Sequence, residues 1–434
     1  MTIHDQAAAP SRQIEPIRHD NLLIHFTTEF HRIWDSTGSR AKPAAFWRPT
    51  PAPDVLPGYF PLGDVFVAGH DNINGSTVVA VVCEADAPSA DPARGPALRR
   101  PEDFELIWKD SGSGSKKDGA VWRPIAPQGY VAMGAVCSND HEKPSLNAVR
   151  CVRADLVIAS DVGELIWNDK GSGARQSFSA WSVTPTNAPP GEIHFAPGTF
   201  VGASSFNRPE SNVGAYSLRM QIAPLIQSSP QLPMLLAADA PETKGAATLA
   251  QVIKLPWFVV KDDLSPIDQL RTTPFYRLER TDQYYLVGSG HNTGEEARAF
   301  KWTAQRLQNP KTLRLFTQLT AISFVSPWAT KADAPASLPF SARLDSQFTH
   351  SETSTSGWQT PFVTHVIAMA GKGKFVAVYQ LESFYELRRA DGSQAGINLA
   401  YTQNDNLSLL QYPPQECTHD ATDKSLPKAT DSAP

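Results

Sequence analysis

The sequence predicts an all-β protein built from two parts, and three observations support this prediction. A phrase that begins with Ile-Trp occurs three times in the first half of the chain. Short runs of β-branched and aromatic residues alternate with Gly, Pro and Ser, which is typical of strands joined by tight turns. The 36 prolines among the 434 residues also disfavour long helices.

Each copy of the repeated phrase contains two tryptophans at a nearly constant spacing of 13 or 14 residues. The pairs are Trp34 and Trp47, Trp108 and Trp122, and Trp167 and Trp181. This regularity indicates one unit repeated three times over residues 21–205. Large aromatic residues at fixed places in a repeat usually lie in the core, so we interpret all six as structural. Three small sheets would pack about a pseudo-threefold axis, which predicts a β-prism or tripod shape.

A short loop follows the first tryptophan of each copy and combines a carboxylate with Ser, Gly or Lys. The candidate residues are Asp35, Ser36, Asp110, Ser111, Asp169 and Lys170. Such loops suit turns with exposed backbone amides, and they could also bind sugar hydroxyls or a cation. Turn geometry is the stronger interpretation, and receptor binding is the functional candidate.

The rest of the chain divides into four segments. Residues 1–20 and 416–434 are polar and are predicted to be disordered tails. Residues 206–254 are predicted to connect two domains. From residue 255 longer alternating segments replace the repeats, so residues 255–415 are predicted to form a second β domain.

The clearest alternating segment of the second domain is residues 340–351. Its apolar or small face consists of Phe340, Ala342, Leu344, Ser346 and Phe348. A membrane-crossing strand has this pattern over about nine to eleven residues, and an ordinary half-exposed strand has it as well. Before any insertion the same face would lie on the protein's own surface. Residues 313–325 are a rival candidate, or the partner strand of a hairpin.

Composition and motifs argue against several classes of function. A net charge of −5 without a basic run gives no reason to expect nucleic acid as a partner. Four irregularly spaced cysteines predict neither a disulfide scaffold nor a zinc site. The chain has no His-Glu-x-x-His, P-loop or Gly-x-Ser-x-Gly motif, so we expect no enzyme, no cofactor and no metal.

The repeated half resembles the vacuolar protein sorting-associated protein 62 family. The resemblance rests on the Ile-Trp starts, on the Trp-Arg-Pro triplets at 47–49 and 122–124, and on the Gly-Tyr to Gly-Asp run at 58–64. It covers roughly residues 20–205 and defines no biochemical activity by itself. Similar domains in some bacterial insecticidal proteins are called β-tripods and look like receptor-binding modules.

The second half resembles the pore-forming domain of the binary, Tpp-type insecticidal crystal toxins. The resemblance rests on Thr-Pro-Phe-Tyr-Arg-Leu-Glu-Arg at 273–280 with Tyr284 and Tyr285, and on Phe-Tyr-Glu-Leu-Arg-Arg-Ala-Asp-Gly-Ser at 384–393. It implies an elongated, aerolysin-like fold with long twisted strands and a tucked amphipathic segment. Those relatives usually carry a β-trefoil lectin domain, which is replaced here, so their sugar specificity does not transfer.

Together the two resemblances imply an insecticidal pore-forming toxin that binds a host-cell receptor, oligomerises and inserts an amphipathic β-hairpin. The implied partners are the host membrane, a glycan or protein receptor, further copies of the chain and, as in related pairs, a second toxin component. We expect a soluble protein without a classical signal peptide, made in the bacterial cytoplasm and released. The alternative is a non-lytic surface protein that binds carbohydrate or lipid.

Overall fold

A computed structural model describes residues 15–86, 91–210, 214–236, 240–305, 338–344, 363–402 and 407–413. The structure is nearly all β, with 47% of residues in strands and one helix, α1 (Pro266–Thr272), in the part of the chain that it describes. The predicted all-β class is therefore confirmed. Among the described residues, no helix combines the length and the apolar character needed to cross a membrane.

The first half consists of short strands that recur in the same order in each repeat. The first repeat contains β1 (Ile17–His19), β2 (Leu22–Thr27), β3 (Phe30–Asp35), β4 (Ala44–Pro49), β5 (Phe60–Pro61), β6 (Val65–Ala68) and β7 (Val79–Glu84). The second contains β8 (Leu98–Arg99), β9 (Asp103–Lys109), β10 (Ala120–Ile125), β11 (Tyr130–Val131), β12 (Val136–Ser138) and β13 (Cys151–Arg153). The third contains β14 (Val157–Ala159), β15 (Asp161–Asn168), β16 (Ser179–Thr184), β17 (Glu192–Phe195), β18 (Val201–Ala203) and β19 (Tyr216–Gln221).

Each repeat forms an inner and an outer antiparallel sheet. The inner sheets are β3–β4–β6, β9–β10–β12 and β15–β16–β18. The outer sheets are β1–β2–β7–β5, β8–β13–β11 and β14–β19–β17. Corresponding strands hold corresponding places, so the repeated half has internal pseudo-threefold symmetry.

The repeated Ile-Trp phrase marks a β-bulge in every inner sheet. The register shifts at the same point in each copy, leaving Ile33, Ile107 and Ile166 without a directly opposed partner. A bulge of this kind re-aims the side chain that follows it. The following residues are the first tryptophans of the repeats, and all three contribute to one central cluster.

The two tryptophans of each repeat pack in different places. Trp34, Trp108 and Trp167 share the central cluster with phenylalanines of the first and third repeats, and the rings of Trp34 and Trp108 lie 5.7 Å apart, edge to face. Each second tryptophan instead packs inside a smaller cluster of its own repeat, as Trp47 and Trp122 do. All six side chains are buried. The first tryptophans therefore join the repeats, and the second ones stabilise single repeats.

The second half is organised around a sheet with very long strands. Its elements are β20 (Pro224–Gln227), β21 (Thr248–Pro256), β22 (Phe275–His291), β23 (Arg298–Gln305), β24 (Phe340–Arg343), β25 (Val363–Ala370), β26 (Phe375–Arg388), β27 (Leu399–Tyr401) and β28 (Leu407–Tyr412). The main sheet has the order β20–β21–β22–β26–β27, and β28 also pairs with β26. At about 3.3 Å per residue, β22 extends over roughly 56 Å. Strands β19, β20 and part of β21 lie in the stretch predicted to connect the domains.

The two halves share one hydrophobic core. Trp257 and Phe258 of the second half contact Phe26 and Phe195 of the outer sheets, with ring centroids 4.9 to 5.7 Å apart. Strand β24 pairs with β17, so it adds a fourth strand to the outer sheet of the third repeat. The halves therefore meet through a continuous apolar interior.

Glu382 gives the long sheet a pH-dependent stability. Burial raises the pKa of its carboxyl to about 7 from the ordinary 4.5, although nearby Lys244 lowers it. The folded state therefore keeps this proton to a higher pH than the unfolded chain does, and the free energy of unfolding should fall as pH rises from about 4.5 to 7. Denaturant titrations across this range should show a smaller fall for Glu382→Gln. An equal dependence of the free energy of unfolding on pH in the two proteins would contradict the raised pKa of Glu382.

Candidate functional site

The three Gly-Ser loops lie against one another at one end of the threefold unit. The amide of Lys116 donates to the carbonyl oxygen of Thr37 at 2.8 Å, and the amide of Arg175 donates to that of Ser111 at 3.0 Å. Gly38 has a φ of +96°, and a Cβ there would stand 2.8 Å from the carbonyl oxygen of Gly114. We call this surface, residues 36–42, 110–118 and 169–176, the loop end.

Two of the candidate carboxylates at the loop end accept buried hydrogen bonds from the neighbouring repeat. The indole Nε1 of Trp34 donates to Asp110 Oδ2 at 3.1 Å, and that of Trp108 donates to Asp169 Oδ2 at 3.1 Å. The backbone amides of Gly119 and Phe178 donate to the other carboxylate oxygens. Asp110 and Asp169 therefore stabilise the contacts between neighbouring repeats.

In the first repeat, Ser36 takes the place that an aspartate holds in the others. Its hydroxyl accepts a hydrogen bond from the amide of Ala44 at 2.9 Å, as Asp110 and Asp169 accept from their own strands. Trp167 donates instead to the carbonyl oxygen of Lys42 at 2.8 Å. Asp35 lies one position earlier and is buried, with its carboxylate bonded to the amide of Thr37.

Burial also affects the pKa of the Asp35 and Asp169 carboxyls. It raises the pKa of the Asp169 carboxyl, while the hydrogen bonds from the Phe178 amide and the Trp108 indole lower it. Burial alone would raise the pKa of the Asp35 carboxyl. The hydrogen bonds from Thr37 and the charge of Lys117 together lower it by more, so the net shift is downward. An ionised Asp35 below the surface favours cations above it.

The exposed face of the loop end is cationic. Every repeat contributes two exposed basic side chains to it, which are Arg40, Lys42, Lys116, Lys117, Lys170 and Arg175. Asp118 is exposed there as well, and Ser111 is half-buried. Of the predicted loop residues, only Lys170 is fully exposed. The loop geometry thus places the acids inside and the cations outside.

One group at the loop end has the composition of a metal site. Asp110, Asp118 and His141 place possible ligand atoms within 4.8 Å of one another. His141 Nε2 lies 2.8 Å from Asp110 Oδ1, and in the first repeat His70 Nε2 lies 3.0 Å from Ser36 Oγ. Ser36 in the first repeat takes the place of Asp110, and a serine hydroxyl binds metal poorly. Because both repeats nevertheless have a histidine at this place, we interpret its contact as a structural hydrogen bond. Sequence spacing gave no signal for this group.

The described part of the predicted membrane strand lies inside the protein. Phe340, Ala342 and Leu344 are buried in the core shared by the halves, and β24 pairs with β17 over four residues. Ser346, Phe348 and the rival residues 313–325 lie outside the described residues. Insertion of this strand would require the loss of that pairing and of that apolar packing.

A second amphipathic element, which the sequence reasoning missed, is formed by β23 and β25. The two strands pair over eight consecutive positions, from Arg298 opposite Ala370 to Gln305 opposite Val363. One face of this ribbon covers Val376 and Val378 of β26, and the side chains that pack there are Phe300, Trp302, Val366, Ala368 and Ala370. The alternation within residues 298–305 was the signal that could have revealed it.

Two glycines in β22 make room for this ribbon. A Cβ at Gly288 would stand 2.2 Å from the ring of Trp302, and one at Gly290 would stand 2.4 Å from the ring of Phe300. Both glycines lie within the long strand β22. The rings of Trp302 and Phe300 therefore lie directly on the backbone of β22, where the two glycines have no side chains.

Substitutions of neighbouring loop residues should separate structural from surface roles. Asp169→Ala removes the acceptor of the Trp108 indole and of the Phe178 amide, so we expect a loss of about 1–3 kcal/mol in the free energy of unfolding. Lys170→Ala, the matched control on an exposed neighbour, should change it by less than about 0.5 kcal/mol. Denaturant titration measures both. A stable Asp169→Ala protein would show that the carboxylate is not needed by the fold.

Comparison with known proteins places the repeated half in a family. Residues 14–237 match the vacuolar protein sorting-associated protein 62 family, as the Ile-Trp and Trp-Arg-Pro motifs predicted. No curated protein matches the chain.

Two solved structures are similar to this chain. GNIP1Aa from Chromobacterium piscinae is 25% identical over 46% of this chain, with a TM-score of 0.38, and the match spans only 37% of GNIP1Aa. Cry35Ab1 is 10% identical, with a TM-score of 0.37, and the match covers 91% of both chains. The family match spans about half of the chain and includes all three repeats. This chain belongs to the vacuolar protein sorting-associated protein 62 family.

Proposed function

We propose that this chain is a toxin that recognises an anionic cell surface through the loop end and permeabilises the membrane with its second half. The observation that carries the proposal is the set of six exposed cations on three interlocked loops. Backbone contacts between the loops fix their relative positions, so the cations form one patch on an ordered surface. Each basic side chain near an anionic surface contributes about 1 kcal/mol to binding.

The second half supplies the membrane-active part of the proposal. Its resemblance to Tpp-type toxins implies a tucked amphipathic segment, and the β23–β25 ribbon has the expected form. Phe300, Trp302 and Val366 point inward, while Lys301 and Thr303 are exposed. In a bilayer the same alternation would direct one face to lipid and the other to water. We therefore place the β23–β25 ribbon ahead of residues 340–348 as the inserting segment.

Charge reversal tests the recognition surface. In Lys116→Glu/Lys117→Glu, binding to vesicles of insect midgut membrane should fall about tenfold or more, because two cations become anions. The matched control Lys261→Glu/Arg271→Glu makes the same change in net charge at exposed sites of the second half. Co-sedimentation measures binding and release of an entrapped dye measures permeabilisation. Equal loss in both variants would exclude the loop end as the recognition surface.

Site-specific labels test which segment inserts. His365 is exposed and Val366 is half-buried on the inward face, and they are neighbours in β25. In a Cys83→Ser/Cys417→Ser background, a dye on Val366→Cys should be quenched by a lipid-phase nitroxide during dye release, and one on His365→Cys by aqueous iodide. The same pair of labels at Ala342 and Ser341 reports on β24. Lipid-phase quenching at Ala342 alone would favour the originally predicted strand.

The alternative is a non-lytic protein that binds carbohydrate or lipid through the same loop end. The cationic patch supports this function equally well, because binding through the loop end does not require the second half. Dye release separates the two functions. Vesicles that bind the chain and retain their dye, with protease supplied, would establish the alternative.

A further inference from the structure

An internal carboxylate closes the interface between the first and second repeats. Arg48 donates through Nε and Nη2 to the two carboxylate oxygens of Asp64, at 2.9 and 2.8 Å. Arg48 also donates to the carbonyl oxygen of Cys137, and the Cys137 amide donates to Asp64 Oδ2, both at 2.6 Å. Asp64 is fully buried. This bidentate pair therefore fills the space between the two repeats.

The second repeat keeps the arginine and lacks the carboxylate. Arg123 follows Trp122 as Arg48 follows Trp47. Because Trp47 pairs with Val65 and Trp122 pairs with Val136, the residue that corresponds to Asp64 is Ala135.

Among the residues that the structure describes, Arg123 pairs with a surface carboxylate instead. It reaches Glu105 at 2.9 Å, and the two side chains are 44% and 60% exposed. A pair this exposed holds its arginine weakly. The guanidinium can therefore turn toward another anion at little cost.

A cavity of about 230 Å³ lies where the carboxylate is missing, between the second and third repeats. Its wall includes Arg123, Pro124, Tyr130, Ala135, Gly202 and Tyr216. Gly202 is opposite Ala180 as Cys137 is opposite Val121, so its peptide group holds the place of the one that binds Asp64. The cavity thus has an arginine and a peptide group at the two positions that bind a carboxylate one repeat earlier.

We propose that this cavity binds the carboxylate of a small organic acid. The carboxylate takes the position of the Asp64 side chain and accepts two hydrogen bonds from Arg123, which leaves Glu105. Pro124, Tyr130 and Tyr216 cover the body of the acid. The site lies apart from the loop end, and the proposal does not depend on the toxin function.

Isothermal titration with two matched pairs of probes tests this site. Glucuronate is compared with glucose, and benzoate with benzamide. We expect at least one acid to bind about tenfold or more tightly than its neutral counterpart. Glu105→Gln should tighten that binding, because Arg123 loses its competing partner. Failure of both acids to exceed their neutral counterparts would overturn the proposal.

Two variants locate the binding. Ala135→Asp rebuilds the Arg48–Asp64 arrangement in the second repeat, so it should abolish acid binding and raise the melting temperature. Arg123→Gln removes the cation at a half-exposed position and should abolish acid binding without unfolding the chain, which keeps the test decisive if Ala135→Asp does not fold. Acid binding that survives in Arg123→Gln would overturn the proposal.

Discussion

The fold of the repeated half depends on where its buried indole N–H groups find acceptors. A buried donor without a partner is costly, and the first tryptophan of each repeat finds its acceptor in another repeat. Trp34 reaches Asp110 and the carbonyl oxygen of Lys117. Trp108 reaches the third repeat, and Trp167 returns to Lys42 in the first. The ring of hydrogen bonds closes only when all three repeats are folded, and it draws the Gly-Ser loops together at one end.

The sequence predicted the repeat, its strands and the burial of its tryptophans, because periodicity and residue type determine these locally. It did not predict the bulge at Ile33, Ile107 and Ile166, since a bulge is a property of two paired strands. Alignment by residue type matched Asp35 with Asp110, whereas the structure matches Ser36 with it. The cationic patch arises from loops that are far apart in sequence, so only their packing could reveal it.

In the second half, alternation predicted the strand that begins at Phe340, and it could not identify what that strand contacts. The apolar face of residues 340–344 is compatible with contact to lipid and with burial inside a protein, because both are apolar environments. The structure adds this strand to the outer sheet of the third repeat, and the apolar face lies in the core that the two halves share. The role of Gly288 and Gly290 was equally hidden, since a glycine in a strand acquires its meaning from the ring that lies over it.

Strand β24 belongs to the second half by sequence and to the first half by hydrogen bonding. The border between the halves is therefore not a single point on the chain. In a fragment that stopped at residue 254, the edge of β17 that pairs with β24 would be unpaired. Phe195 would also lose its contact with Phe258. Such an edge recruits strands from other molecules. A soluble version of the recognition unit would have to carry residues 338–344 grafted back onto it.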